Sequence, residues 1–348
     1  MARVFLLCLL LLPVSLRADA IDEIVGAGMK KTGIPGLALG IVRDGRLVRA
    51  RGYGVASLEL PVPVTADTVF QGGSIGKMFT ASAILLLEKE GKLSLSDPVS
   101  KHLPEAPESW KGITLRHLLH HTSGIPGFPY DDKAKLDLQR NDGEEEIIAL
   151  AASTPLDFPP GTRHQYSNTG YVLLGIVIHR VTGKPYEAFL QSRVFQPLGM
   201  TRSRGIDDRT IIPGRAAGYE AGPDGGPRNQ EWVAPSYNST ADGSLYFTVN
   251  DFAKWDIALG CGPVSGEMFA EMLKPAVLND GSTAPYGLGW DLDWETGEKT
   301  IGHSGGWQGF SSLYLRFPER KTSVILLCNL ASGDLAEIMK PLVRELFR

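Results

Sequence analysis

From Met78 to Leu87 nearly every position is apolar, and the run stops at Glu88-Lys89-Glu90-Gly91. A helix that is apolar on all sides is a buried one, so this segment predicts a core helix opening near Ser74. The spacing of Ile21, Ile24, Val25 and Met29 predicts a short amphipathic helix near the N-terminus. Gly36 to Val42 and Leu47 to Gly54 flank Arg43-Asp44-Gly45, the pattern of a β-hairpin. From about Ser74 to Leu259 the pattern is mostly helical, broken by Pro- and Gly-rich connections such as Gly124 to Pro129 and Asp157 to Gly161. Thr248-Val249-Asn250-Asp251 resembles a capping box that opens another helix. Strand character returns in Tyr286 to Trp294, Phe310 to Phe317 and Thr322 to Leu330, and a C-terminal helix kinked or restarted at Pro341 follows. Strands at both ends with helices between them predict an α/β fold of the α+β type. One part is built from residues 21–72 and 260–348, and a mostly helical part spans 73–259. The core helix would lie where the two meet, the usual place for a cleft.

Residues 1–20 follow a different pattern. Arg3 precedes the apolar run Val4 to Leu16, and Ala18-Asp19-Ala20 offers small residues for a cut. These are the marks of a secretory signal peptide, and the run is shorter than the about 20 residues of a membrane span. A secreted or periplasmic protein with no stable membrane anchor is the expectation. Leu7 is too bulky to precede a lipidated Cys8. Cleavage after Ala20 would take away Arg3, Arg17 and Asp19, moving the formal charge from −4 to −5, and would leave only Cys261 and Cys328. Two cysteines make no disulfide framework, and Cys328 ends an apolar strand pattern, as a small core residue does. With 348 residues, 43% hydrophobic content and no basic excess, the chain can bury a large core and has nothing to attract nucleic acid. His117 and His121 stand at i and i+4, but Leu118 holds the place where H-E-x-x-H needs glutamate, so no metal site is expected. No cofactor is implied, and the oligomeric state stays open.

Three short polar motifs supply the chemistry. In Ser74-Ile75-Gly76-Lys77 the lysine stands one helical turn from the serine, within reach of its oxygen, and burial would lower its pKa toward that of a working base. Tyr166-Ser167-Asn168 lies in a loop before the apolar helix Tyr171 to Ile178. A phenol beside an ammonium can become a phenolate and shuttle protons, and a primary amide can grip a carbonyl group. In Gly302-His303-Ser304-Gly305-Gly306 the glycines suit an edge strand lining a cleft, whose N–H at Gly306 would oppose that of Ser74 as an oxyanion hole. His303 would hydrogen-bond substrate or the Tyr166 oxygen. Each motif alone also has a structural reading: a first-turn surface lysine, a capping asparagine with a packed tyrosine, a histidine packed beside Trp307.

Taken together, the three motifs resemble those of the β-lactamase-related serine hydrolases, which join class C β-lactamases, D,D-peptidases, D-aminopeptidases and esterases. The resemblance covers nearly the whole chain after residue 20. It extends to Leu95 to Val99, Leu118 to Gly124 and Pro197-Leu198-Gly199-Met200. It implies a β-lactamase/transpeptidase-like fold with an antiparallel sheet flanked by helices. It further implies Ser74 as acylated nucleophile, Lys77 and Tyr166 sharing its proton, and Asn168 holding the substrate amide, with the choice of base between Lys77 and Tyr166 left open. The chain departs from penicillin-active relatives at His303, where they carry a lysine that attracts the substrate carboxylate. An ordinary imidazole would gain charge below about pH 6. Small esters, amides or D-amino acid peptides are therefore the expected substrates, with β-lactamase or D,D-carboxypeptidase activity as the alternative. Two readings of another kind compete. Gly72-Gly73-Ser74-Ile75-Gly76 and Gly302 to Gly306 both match G-x-S-x-G of α/β-hydrolases, although no histidine follows His303 to serve Ser304. A covalent sensor would acylate and stay acylated.

Overall fold

The chain reverses at Asp44 (φ 50°) and Gly45 (φ 70°), the left-handed pair that a two-residue hairpin demands. The computed structural model describes residues 15–127 and 137–348, so Cys8, most of the expected export signal and residues 128–136 lie outside the described residues. Helix α1 (Ser15–Thr32) leads into the hairpin strands β1 (Gly36–Arg43) and β2 (Arg46–Gly54). The middle of the chain supplies helices α2 (Lys77–Lys89), α3 (Asn168–Thr182) and α4 (Val249–Cys261). Strands β3 (Ile301–Trp307), β4 (Phe310–Phe317) and β5 (Thr322–Cys328) and helix α5 (Ala336–Leu346) complete the order. The C-terminal helix runs through Pro341 rather than restarting there.

The strands form one antiparallel sheet in the order β3-β4-β5-β1-β2, so the first and last thirds of the chain share it. Leu39 of β1 faces Leu326 of β5, which in turn faces Leu313 of β4. A sheet antiparallel throughout removes the α/β-hydrolase reading, whose architecture rests on parallel strands. The two-residue alternation of β1 sorts its side chains between two cores. Leu37, Leu39 and Ile41 pack with Val25 of α1 and Ile338 and Leu342 of α5, while Ala38 and Val42 join the larger core on the helical side. Gly40 lies on that second face, where a Cβ would come within 2.5 Å of Val249, so its missing side chain lets α4 rest against the sheet.

Phe79 ties α2 into this core. Its ring lies 4.4 Å from Trp255 and 5.9 Å from Phe252 of α4, and stacks on Phe247 at 4.9 Å. Thr248 caps α4 by accepting the Asp251 N–H at 3.1 Å. Cys328 is buried and Cys261 exposed, both as free thiols. No helix among the described residues is long and apolar enough to cross a membrane.

Two segments differ from their sequence patterns. Tyr286 to Trp294 is not a strand: it turns back through isolated bridges of Asp291 with Tyr286 and Gly302, with Gly289 at φ 77°. That turn seats Gly289 against the first residue of α2, where a Cβ would come 2.7 Å from the Lys77 carbonyl oxygen. The helical stretch is also interrupted. Between Phe195 and Thr248 the chain forms short strand pairs and turns, because Pro213, Gly214, Gly222, Gly225, Gly226 and Pro227 break any helical period there.

One buried carboxylate pins α4 to the sheet. Asp256 accepts the Tyr314 hydroxyl at 2.5 Å, the Ser323 hydroxyl at 2.6 Å and Arg316 Nη1 at 2.6 Å. Replacing it strands a guanidinium and two hydroxyls. Asp256→Ala is expected to lower the unfolding free energy by about 3 kcal/mol in urea denaturation, and a loss below about 1 kcal/mol would contradict this account.

Candidate active site

Ser74 stands in the tight turn Gly73–Gly76 that opens α2, and the edge strand β3 comes directly onto that turn. Two glycines make the approach possible. A Cβ at Gly73 (φ 55°) would sit 2.7 Å from the Gly306 nitrogen, and one at Gly305 would sit 2.1 Å from the Gly72 oxygen and 3.0 Å from the Ser74 nitrogen. Ser312 of β4 fastens the turn by donating to the Gly72 carbonyl at 2.5 Å. Ser74 and Gly306 therefore line one small pocket, together with Asn168, Asp242 and Trp307. Two main-chain N–H groups beside a hydroxyl in such a pocket are what an oxyanion hole requires.

Lys77 is wholly buried, as the apolar helix around it demands. Its Nζ donates to Ser74 Oγ at 3.1 Å, to Asn168 Oδ1 at 2.7 Å and to the Asp242 carbonyl at 2.5 Å, which uses all three protons of an ammonium. Burial pulls its pKa down to about 8, partly opposed by the nearby Asp242 carboxylate. The rings of Tyr166 and Tyr171 lie 4.9 and 5.3 Å from the same nitrogen. Asn168 is the first residue of α3, so the helix start fixes its amide.

Tyr166 is 40% exposed as a residue, while its hydroxyl has the surroundings of a buried group. Burial of that oxygen drives its pKa well above the usual phenol value, against the pull of a side-chain interaction with Ser74. The phenolate expected beside Lys77 is thus disfavoured, because enclosure penalises the charged form of the oxygen. Tyr166 is a neutral phenol here, and of the pair it is Lys77 whose charge changes near neutral pH.

His303 also departs from expectation. Its Nδ1 lies 2.5 Å from the Ser304 carbonyl, which can only accept, so Nδ1 carries the proton and Nε2 accepts the Tyr286 hydroxyl at 2.9 Å. Both nitrogens are engaged within the protein, and the ring lies 6.0 Å from that of Tyr166. Burial first, then the Lys77 charge, lowers its pKa to about 3, far below the ordinary value.

The motifs thus converge, but three participants carried no site signal in the sequence. The Asp242 group that meets Lys77 is a main-chain carbonyl, which any residue type would provide. Tyr286 lay in a segment with a strand pattern. His121, whose ring lies 4.3 Å from that of Tyr166, stood in the Leu118 to Gly124 stretch that resembles the family and in an incomplete metal motif, neither of which gave it a role in the site. Among the described residues no group of three side chains is arranged to hold a metal. Trp232 and Pro235 border a wider groove that includes Asn141, Arg204, Asp207 and Asn238, and the Asn238 side chain accepts the Trp307 indole N–H at 2.8 Å.

Residues 21–347 match the Beta-lactamase family. Penicillin-binding protein 4* of Bacillus subtilis is 31% identical over 301 residues, covering 82% of this chain and 66% of that protein. The octameric penicillin-binding protein homologue from Pyrococcus abyssi superposes with a TM-score of 0.80 at 31% identity, over 95% of this chain and 78% of that one. D-amino acid amidase from Ochrobactrum anthropi SV3 superposes with a TM-score of 0.81 at 28% identity, over 95% of this chain and 98% of the amidase. The chain spans about two thirds of the length of curated relatives such as the Bacillus protein. With the family matched over nearly the whole length and the fold shared with these structures, the chain belongs to the β-lactamase family, within its β-lactamase-related serine hydrolases.

Proposed function

We propose that this chain is an exported serine hydrolase that works through a Ser74 acyl-enzyme on small esters, amides or D-amino acid peptides. One contact carries the reading: a wholly buried lysine amine with its pKa near neutral stands 3.1 Å from the serine oxygen. In its neutral form Lys77 accepts the Ser74 proton as Oγ bonds to the substrate carbonyl carbon. The carbonyl oxygen gathers the negative charge, faced by the N–H groups of Ser74 and Gly306. When the intermediate collapses, the bond to the leaving nitrogen or oxygen breaks, and the proton passes to that atom from Lys77, with the Tyr166 hydroxyl as its neighbour in the relay. Water then repeats the sequence on the acyl ester, releasing the acid and restoring Ser74. Asn168, already holding Lys77 through its oxygen, keeps its NH₂ for the substrate carbonyl.

The neutral His303 supports the substrate class. A site that offers no fixed cation at the third motif has little hold on a substrate carboxylate, which disfavours β-lactams and peptides with a free C-terminus relative to neutral amides and esters. The amidase among the relatives is in keeping with amide substrates. The apolar run and small-residue cut at the N-terminus support export.

Four measurements test this proposal. A fluorophosphonate should label Ser74 alone in peptide mapping, and Ser74→Ala should cost about 10³-fold or more in turnover; a stable adduct on Ser123 or Ser304 would sink the assignment. The kcat/KM for a neutral ester should climb as pH rises and level off above about 8, since the active base is unprotonated Lys77. A profile flat from about pH 6.5 to about 9 would exclude Lys77 as that base. For a carboxylate-bearing substrate, KM should not improve between about pH 7.5 and about pH 5, because His303 stays neutral until about 3. A several-fold gain in affinity over that range would mean that the imidazole titrates in the ordinary way.

A further inference from the structure

His121 has its backbone in the left-handed region at φ 56°, and it is buried to 1% exposure. The other two non-glycine residues with this conformation among those described, Asp44 and Lys321, sit in turns between strands. A side chain with a Cβ takes up such a backbone only when its surroundings hold it there.

What the conformation achieves can be read from three contacts. The His121 carbonyl accepts the Gln165 N–H at 2.9 Å, and its Nδ1 accepts the Ser167 N–H at 3.1 Å. These are the two N–H groups that flank Tyr166. Between them, the imidazole ring lies against the Tyr166 ring, centroids 4.3 Å apart and planes tilted by 39°. One residue thus holds the backbone on both sides of Tyr166 and the face of its ring.

The clamp is the centre of a longer template. Gly161 donates its N–H to the Thr122 carbonyl at 2.8 Å, and Asp157 to the Gly124 carbonyl at 2.8 Å. The Thr169 hydroxyl reaches the Pro126 carbonyl at 2.7 Å, and the Tyr171 hydroxyl the Leu119 carbonyl at 2.8 Å. The stretch from Leu119 to Pro126 is therefore the surface on which the loop bearing Tyr166 and Asn168 is laid.

The residue type is informative as well. Because Nδ1 accepts a hydrogen bond, the proton of the neutral ring is on Nε2, and that buried atom has no hydrogen-bond partner among the described residues. It lies among the rings of Tyr166, Tyr171 and Tyr286. A position concerned with packing alone would avoid an unsatisfied buried N–H by carrying phenylalanine. Phenylalanine cannot accept the Ser167 N–H. We infer that His121 is a positioning residue, which aims the Tyr166 hydroxyl at Ser74 by clamping Gln165, Tyr166 and Ser167 together.

The inference rests on the Ser74 acyl-enzyme reading above, and a kinetic cycle separates the two. Turnover of a short neutral ester is measured for wild type, His121→Phe, His121→Asn, Tyr166→Phe and the His121→Phe/Tyr166→Phe double variant, with thermal melting of each. His121→Phe keeps the ring and loses the acceptor, so kcat is expected to fall roughly 10- to 100-fold with KM changed less than about threefold. His121→Asn provides an amide oxygen and tolerates positive φ, so it should recover part of that loss. In the Tyr166→Phe background, His121→Phe should cost nothing further, because the hydroxyl it aims is gone. Losses that multiply in the double variant, or a His121→Phe enzyme with wild-type kcat, would overturn the positioning role. If His121→Phe does not fold, the same cycle run with His121→Asn decides the matter by the same criterion. A Ser74→Ala enzyme that still hydrolyses the ester would instead overturn the serine reading itself.

Discussion

The ammonium of Lys77 sits where no water reaches, and the site around it follows from that one constraint. An ammonium taken out of water costs several kcal/mol unless acceptors replace the lost hydration. Three oxygens do so, and they come from widely separated parts of the chain: the serine one turn earlier, the amide that opens α3, and a carbonyl in the loop before α4. Satisfying one lysine therefore requires the helices and that loop to meet at a point. The apolar body of α2, anchored by Phe79 among Phe247, Phe252 and Trp255, keeps that point dry.

The same constraint sets the charge state of its neighbours. Burial and the Lys77 charge act in the same direction on His303 and on His121, so both imidazoles are held neutral. Burial first, then nearby groups such as the Asp242 carboxylate, push the Tyr166 phenol the other way on the pH scale, to the same end of neutrality. Of Lys77, Tyr166, His121 and His303, Lys77 is left as the one whose charge responds near neutral pH, which makes the other three fixed donors and acceptors around it. Two neutral aromatic residues, His303 and Tyr286, close the far side, where a lysine would otherwise offer a charge to a carboxylate.

The sheet contributes in a plainer way. Its edge strand β3 bridges Asp291 at Gly302 and further along meets the turn that carries Ser74, where the absence of side chains at Gly73 and Gly305 lets two backbones approach to a distance that a Cβ would forbid. The oxyanion pocket is thus a property of main chains, and the fold has only to keep β3 in register with β4. Ser312, on β4, ties that register to the serine turn through the Gly72 carbonyl.

Features that depend on neighbours along the chain were legible in the sequence. The apolar run from Met78 to Leu87 could only be a buried helix, Asp44-Gly45 could only be a tight hairpin, and Ser74 with Lys77 one turn later could only share a helix face. The residue types of the three motifs likewise announced acyl chemistry before any contact was known. What the sequence could not reveal depends on through-space proximity. The carbonyl of Asp242 has no side-chain signature, and the partnership of Tyr286 with His303 follows from a turn that reads as a strand. The role of His121 depends on a loop about forty residues further on. Protonation states belong to this second class as well: an isolated imidazole or phenol has its ordinary pKa. Only the enclosing of His303 and Tyr166 around a buried cation, by segments from both ends and the middle of the chain, moved those values, because the cost of a charge depends on what surrounds it in space.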